Sequence, residues 1–275
     1  MTAIIVAPNG ARRDKTDCPN IPITLDEMLS TALACRDAGA SILHVHVRDE
    51  TGAHTLDHSL NQQWLAKLEA KLADSMVVQM TTESVGRYSY QDIATYIATV
   101  PAKAISVALN ELFPPEVLET SQLEGVRKCL TEAQRRGALI QYILYHPDEL
   151  ETYQTLVAKQ VLPSQHHLLV VLGKISPQQQ ARPQELNAFL KRGIAETGVR
   201  WAVCAFGLRE LECLEYALGY GADLRVGFEN NICLPNGILA TSNAEQVEAV
   251  TRVVLRQGYR CLDADEIRAA LKNQR

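Results

Sequence analysis

Short runs of β-branched and aliphatic residues alternate along the chain with longer stretches in which apolar residues recur at helical spacing. Eight runs read as strands: Ala3 to Ala7, Ser41 to Val47, Met76 to Met80, Ala104 to Ala108, Leu139 to Leu144, His167 to Leu172, Trp201 to Ala205 and Asp223 to Phe228. Between them, helical periodicity marks Leu25 to Ala38, Asn61 to Leu72, Tyr90 to Thr99, Gln122 to Arg136, Asp148 to Lys159, Arg182 to Glu196 and Leu208 to Leu218. Ala244 to Gln257 and a last piece, Asp263 to Lys272, follow the eighth run. This alternation is the sequence form of a parallel sheet whose strands are joined by crossover helices. Thr24 precedes Leu25 with Glu27 three residues on, the spacing of a capping box, and Gly39, Gly137 and Gly219 stand where helices should stop. Eight repeats of strand then helix predict a (β/α)8 TIM barrel, with residues 1–275 forming a single domain that ends in a C-terminal helical extension. A doubly wound open sheet uses the same units and is the alternative.

Length and composition agree with the barrel. The chain has 275 residues, of which 47% are hydrophobic, and a barrel of this kind typically needs roughly 250. The net charge of -5 is spread along the chain with both signs mixed, so there is no basic stripe for a phosphate backbone and no lysine-rich amphipathic segment for a membrane surface. Nucleic acid and membrane partners are therefore not expected. Cys18, Cys35, Cys129, Cys204, Cys213, Cys233 and Cys261 form no CxxC pair, as expected for reduced thiols inside a cell. The apolar run near the N-terminus is too short for a secretory signal, and no stretch approaches the ~20 apolar residues of a membrane span. A soluble, cytoplasmic protein is expected.

Active sites of such barrels form at the carboxyl ends of the strands, which directs attention to residues that finish each run. His44 and His46 finish the second. Side chains alternate along a strand, so this spacing turns both imidazoles to one face while Val45 and Val47 face the helices. Two neutral imidazoles on one face form half of a metal site, although such a pair can equally be packed core histidines. The other histidines fit less well: His166 and His167 diverge if extended, His54 and His58 lie in a loop, and only His146, after the fifth run, is placed to support the site.

Glu229 ends a series with Arg225 and Gly227 at spacing two, at the close of the eighth run. Barrel closure sets the eighth strand beside the first, and the first beside the second, so Glu229 can meet both histidines across the top of the first strand. Alone, Glu229 also reads as a loop carboxylate paired with Arg225. Two histidines and a glutamate with an open position make a catalytic zinc set, whereas a structural site is normally filled by four protein ligands.

Asn9-Gly10-Ala11, Pro19 to Thr24, Gly39-Ala40 followed by His44 to Asp49, and Arg225 to Asn231 together resemble the β-keto acid cleavage enzymes, from about residue 3 to about residue 270. The resemblance implies a zinc-bearing barrel, usually a homotetramer, that reacts a β-keto acid with acetyl-CoA to give acetoacetate and a new CoA thioester. It puts the zinc ligands on His44, His46 and Glu229, the substrate-carboxylate arginine on Arg225 and a catalytic hydroxyl on Thr81. Ser106, on the fourth strand, is expected to bind substrate as well. Two positions depart from the family pattern. Arg12 replaces a glutamate that reads a substrate amine, and a guanidinium suits an anionic or polar substrate end instead. Asn230 replaces an aspartate, and an amide cannot act as a base near neutral pH.

The base is therefore sought elsewhere. Glu83, two residues after Thr81, is preferred; Glu111 and a water activated by the metal are the alternatives. Arg12, Arg13 or Lys15 would contact either substrate or CoA phosphates, and Gly86-Arg87-Tyr88 reads as a turn or as a loop that closes over substrate. Rival readings are a metal-dependent aldolase or lyase that needs no acetyl-CoA, a non-catalytic keto-acid-binding member, and a metal-dependent hydrolase.

Overall fold

The computed structural model describes residues 1–72, 74–118, 121–163, 166–174 and 179–272. Its eight strands, β1 (Ile4–Val6), β2 (Ile42–Val45), β3 (Val77–Thr81), β4 (Ala104–Ala108), β5 (Leu139–Leu144), β6 (His166–Leu172), β7 (Trp201–Ala205) and β8 (Asp223–Val226), close in sequence order into a parallel barrel. Closure is made by β1 against β8, with Ile5 opposite Arg225. The helices are α1 (Leu25–Asp37), α2 (His58–Leu72), α3 (Tyr90–Thr99), α4 (Leu109–Leu112), α5 (Pro115–Leu118), α6 (Gln122–Arg135), α7 (Glu149–Ala158), α8 (Leu186–Leu190), α9 (Glu210–Leu218), α10 (Asn243–Arg256) and α11 (Ala264–Lys272).

Alternation along the strands divides the core in two. Leu43, Val45 and Val47 point outward and join Met28, Leu65 and Leu68 of the surrounding helices, whereas Ile42 points inward to meet Ile5, Val77 and Leu169 in the lumen. Leu262, Ile267 and Leu271 also belong to this inner cluster, and Arg268 donates to the Met76 carbonyl at 3.0 Å. The C-terminal segment thus closes the amino-terminal mouth, and the other mouth is left for chemistry. Thr24 caps α1 with Glu27 as a full capping box. All seven cysteines are free thiols, and among the described residues no helix is long and apolar enough to cross a membrane.

Element boundaries differ from the sequence reading in three informative places. β2 and β8 end at Val45 and Val226, so His46 and Glu229 leave from the loops just beyond them. The helix expected over Arg182 to Glu196 is only a 3-10 turn, Pro183–Glu185, followed by α8; Gly193, at φ +84°, donates its N–H to the Leu190 carbonyl and ends the helical path. His58 opens α2 rather than lying in a loop.

Candidate active site

Glycines and buried polar anchors shape the loops that carry the metal-type ligands. Gly227 adopts φ +138°, and a Cβ there would collide with the Ala7 backbone. Gly10, at φ +59°, packs against the Glu229 side chain, where a Cβ would approach Cγ to 2.6 Å. Only glycine meets both demands without strain. Arg48 is buried and donates to the carbonyls of Gly10 and Arg13 at 3.0 and 2.9 Å. Asn9 donates to the His46 carbonyl at 2.9 Å, and Asn243 accepts from the Phe228 N–H at 2.8 Å. These contacts explain much of the motif pattern: its polar residues tie the loops after β1, β2 and β8 together.

His44, His46 and Glu229 meet at the open mouth. His44 Nε2 lies 3.1 Å from His46 Nε2 and 3.5 Å from Glu229 Oε2, which lies 3.2 Å from His46 Nε2. Tetrahedral ligands at the roughly 2.0–2.2 Å of zinc bonds stand roughly 3.3 Å apart, so these three donors already have the spacing of one face of such a tetrahedron. Among the described residues, they form the group of histidine, cysteine and carboxylate side chains able to hold an ion. Both imidazoles are about 1% exposed. Burial, reinforced by Arg225, pushes the His44 pKa well down, leaving the neutral imidazole a metal requires. Its Nδ1 is held by Gln79 Oε1 at 2.8 Å, which points Nε2 at the cluster.

Burial also opposes the charge on Glu229, yet Arg225 above all, with His46 and His44, keeps its carboxyl ionised well below the usual range. Arg225 pairs with Glu229 Oε1. The Oε2 atom facing the histidines accepts no hydrogen bond from the described residues, and Arg225 Nε finds no acceptor there. A carboxylate oxygen without a donor and a guanidinium N–H without an acceptor, both buried, are costly unless a ligand completes them.

A cavity opens over this cluster. Thr81, Glu83, Ser106, Glu111, Arg225 and Asn230 line it. Thr81 and Ser106 are register partners on β3 and β4. Ser106 Oγ lies 3.4 Å from His44 Nδ1, and Thr81 Oγ1 accepts from the Glu83 N–H. Glu111 accepts from Ser84 N–H and Oγ at 3.0 and 2.7 Å. Asn230 directs its Nδ2 to Cys204 Sγ at 3.7 Å, and its Oδ1 has no partner among the described residues.

The basic cluster near the N-terminus separates into three tasks. Arg12 donates to Glu83 Oε1 at 2.6 Å, Arg13 donates to the carbonyls of Phe228 and Glu229, and Lys15 pairs with Glu27. Arg12 alone of the three reaches a carboxylate of the cavity lining. The turn at Gly86-Arg87 packs through Arg87, which donates to the His54 carbonyl.

Of the histidines other than His44 and His46, His146 is the one the sequence places to support the site, but His146 is exposed. Alternation past the end of β5 turns Tyr145 inward instead, and Tyr145 lines the cavity. His54, expected in a loop, is buried beside His46 with ring centroids 5.0 Å apart. Its Nε2 donates to the Glu83 carbonyl at 3.0 Å, and burial, then His46, lower its pKa to about 4. Gln79 and Lys174 also went unseen. Gln79 shares the inward parity of Thr81, and Lys174 follows β6 as the candidate residues follow theirs; that rule applied to every strand would have raised both.

A family model described as beta-keto acid cleavage enzyme matches residues 2–272. The chain is 29% identical over 274 residues to 3-keto-5-aminohexanoate cleavage enzyme of Fusobacterium nucleatum, covering 98% of this chain and 96% of that one. It is 24% identical over 286 residues to 3-oxoadipate:acetyl-CoA acetyltransferase of Cupriavidus necator, covering 98% and 93%. Among solved structures, the apo structure of ObcA superposes with a TM-score of 0.72 at 15% identity, over 92% of this chain and 66% of that longer one.

Proposed function

The chain belongs to the beta-keto acid cleavage enzyme family, and we propose that it is a zinc-dependent acyltransferase that exchanges acyl groups between a β-keto acid and acetyl-CoA. The products are acetoacetate and a new acyl-CoA. The balance is complete: the acid loses its acyl group to the CoA thiol, its two-carbon carboxymethyl unit takes the acetyl group, and the proton removed from that unit returns to it. We further propose that it works as a homotetramer in the cytoplasm, where free thiols such as those of its seven cysteines persist.

One observation carries this reading: the donor face formed by His44, His46 and Glu229 stands beside an arginine with an unmatched N–H, inside one cavity. The three side chains would hold the metal, which when bound supplies a Lewis acid for the oxygens of a β-keto carboxylate. Arg225 would grip the substrate carboxylate. Thr81 would donate its hydroxyl to an oxygen that gains charge, with Ser106 beside it, and Asn230 would orient substrate through its amide. Glu83 would remove and return the proton.

Incubating the zinc-loaded protein with β-keto acids, with and without acetyl-CoA, tests the proposal. Acetoacetate and a new thioester should form only when acetyl-CoA is present. Cleavage without acetyl-CoA would make the protein an aldolase or lyase instead.

A further inference from the structure

Glu210 of α9, Asn231 of the loop after β8 and Gln246 of α10 line one hollow in the layer between the barrel and its helices. All three are buried, at 4%, 6% and 3% exposure. Leu211, Val226 and Val250 give the hollow apolar walls, and the room inside is that of about one water-sized body.

Asn231 fixes how the polar groups are turned. Its Nδ2 donates to Glu210 Oε2 at 3.2 Å and to the Cys233 carbonyl at 2.7 Å, and its Oδ1 accepts from the Cys233 N–H at 3.0 Å. Gln246 Nε2 donates to the Asn231 carbonyl at 2.7 Å. With both amides oriented by these partners, Glu210 Oε1 and Gln246 Oε1 are left as buried acceptors with no donor among the described residues.

Glu210 also lacks a cation of its own. Arg13 and Arg225, whose charges reach it, are committed to the Phe228 and Glu229 carbonyls and to the Glu229 carboxylate. As the first residue of α9, Glu210 has a helix N-terminus favouring its ionised form, while burial penalises that form. A water molecule could donate to both free oxygens but would leave the charge unmatched. A cationic side chain would not fit the room. A small cation meets both the oxygens and the charge.

We propose that Glu210 and Gln246 bind one monovalent cation, potassium or sodium, behind the loop that carries Glu229. Carboxylate and amide oxygens are the hard donors such ions accept, and one carboxylate matches one positive charge. The N–H groups of Asn230 and Asn231 both close onto the Gly227 carbonyl, so an ion that fastens Asn231 through Glu210 and Gln246 steadies the turn holding Glu229.

Proton and cation compete for Glu210, which sets the pH dependence: the ion binds the ionised carboxylate and is lost as pH falls. The thiols of Cys204 and Cys213, which also sense Glu210, are pushed up to about 12 by burial and stay uncharged; Cys233 lines the hollow as well. Thermal unfolding of the zinc-loaded full-length protein at fixed ionic strength reads the site, with choline, which is too large to enter, as the reference cation. At about pH 8, potassium or sodium should raise Tm by about 2 °C or more over choline. The gain should fade toward about pH 5 and be absent in Glu210→Gln. Gln246→Leu keeps the charge but removes one oxygen, and should raise the half-saturating concentration about tenfold.

Binding is also read directly by thallous-ion NMR, thallium standing in for potassium. The wild-type protein should show a bound signal that potassium displaces, and Glu210→Gln none. Neither readout needs a substrate, so the result is separate from the acyl-exchange reading. Equal Tm in choline and alkali salts, or a gain that persists in Glu210→Gln, would overturn the proposal. A larger Glu210-dependent gain from magnesium than from potassium would overturn the monovalent assignment.

Discussion

Glu83 presents one carboxylate oxygen to Nδ1 of His46, 3.7 Å away, while the other accepts from Arg12. The side chain thus stands between a metal-type ligand and the cationic rim. Burial works against its charge, but His46, then Lys174 and Arg12, outweigh burial and the repulsion of Glu229 and hold its pKa below the usual carboxylate value. It is therefore ionised and able to accept a proton near neutral pH.

Replacing Glu83 by glutamine is expected to lower turnover by about 10²-fold or more and to remove the acidic limb of the pH profile, as loss of a general base does. Asn230→Ala should leave that limb in place. Metal analysis accompanies the kinetics, because a carboxylate beside a liganding imidazole can also act by orienting the ring. Near-normal turnover with full metal in Glu83→Gln would remove Glu83 from the chemistry.

The metal set makes a graded prediction. His44→Ala, His46→Ala and Glu229→Ala should each lose bound zinc while keeping a native far-ultraviolet circular dichroism spectrum. Gln79→Leu should keep all three ligands but weaken metal retention by about 10–100-fold in chelator competition, since Gln79 Oε1 fixes the His44 ring at 2.8 Å. Unchanged retention in Gln79→Leu would mean that packing alone orients His44.

How much of this was legible in the sequence depended on whether a relation is local. The barrel followed from eight apolar runs, because a parallel strand buried on both faces carries its signal within a few residues. The pairing of His44 with His46 followed from parity along one strand, and closure of the barrel brought Glu229 to them. The contact between Gln79 and His44 spans 35 positions and depends on the register of β2 against β3, which no local pattern specifies. Lys174 matters through Glu83 and Tyr145, each on a different loop. Arg182 to Glu196 failed as one helix because helical spacing of apolar residues persists across Gly193, whereas the backbone there turns to positive φ.

Stability at neutral pH should improve in Glu210→Gln. Glu210, at the start of α9, is buried; Asn231 Nδ2 donates to its Oε2 at 3.2 Å, and Oε1 has no partner among the described residues. Burial pushes its pKa well above the ordinary 4.5, although Asn231, Arg13 and Arg225 pull the other way. Above about pH 4.5 the unfolded chain releases a proton that the folded protein retains, so folding stability declines as pH rises toward the folded pKa. The amide is isosteric and does not titrate. Urea unfolding from about pH 5 to about pH 8 should show the variant gaining on the wild type as pH rises; parallel profiles would contradict this.

Asp223 at the closed end of the barrel predicts the opposite pH dependence. The residue is fully buried, accepts from Arg200 Nε and the Ala3 N–H at 2.6 Å each, and lies 3.3 Å from His167 Nε2. Burial opposes its charge, yet the neighbouring His167 imidazole and the charge of Arg200 lower its pKa below 3.8. A depressed carboxylate contributes stability that is present above its unfolded pKa and is lost as pH falls through the folded value. Removing the carboxylate should break the pair with Arg200 and leave the Ala3 N–H without this acceptor, so Asp223→Ala is expected to cost about 3–5 kcal/mol in urea unfolding at neutral pH, the range for breaking a buried ion pair. Asp223→Asn keeps the size and should flatten the acid limb of the stability profile. Because the cluster sits at the end of the barrel opposite His44 and His46, the folded fraction of Asp223→Asn should bind zinc as the wild type does. Loss of zinc from well-folded Asp223→Asn would show that the closed end also sets the geometry of the ligands.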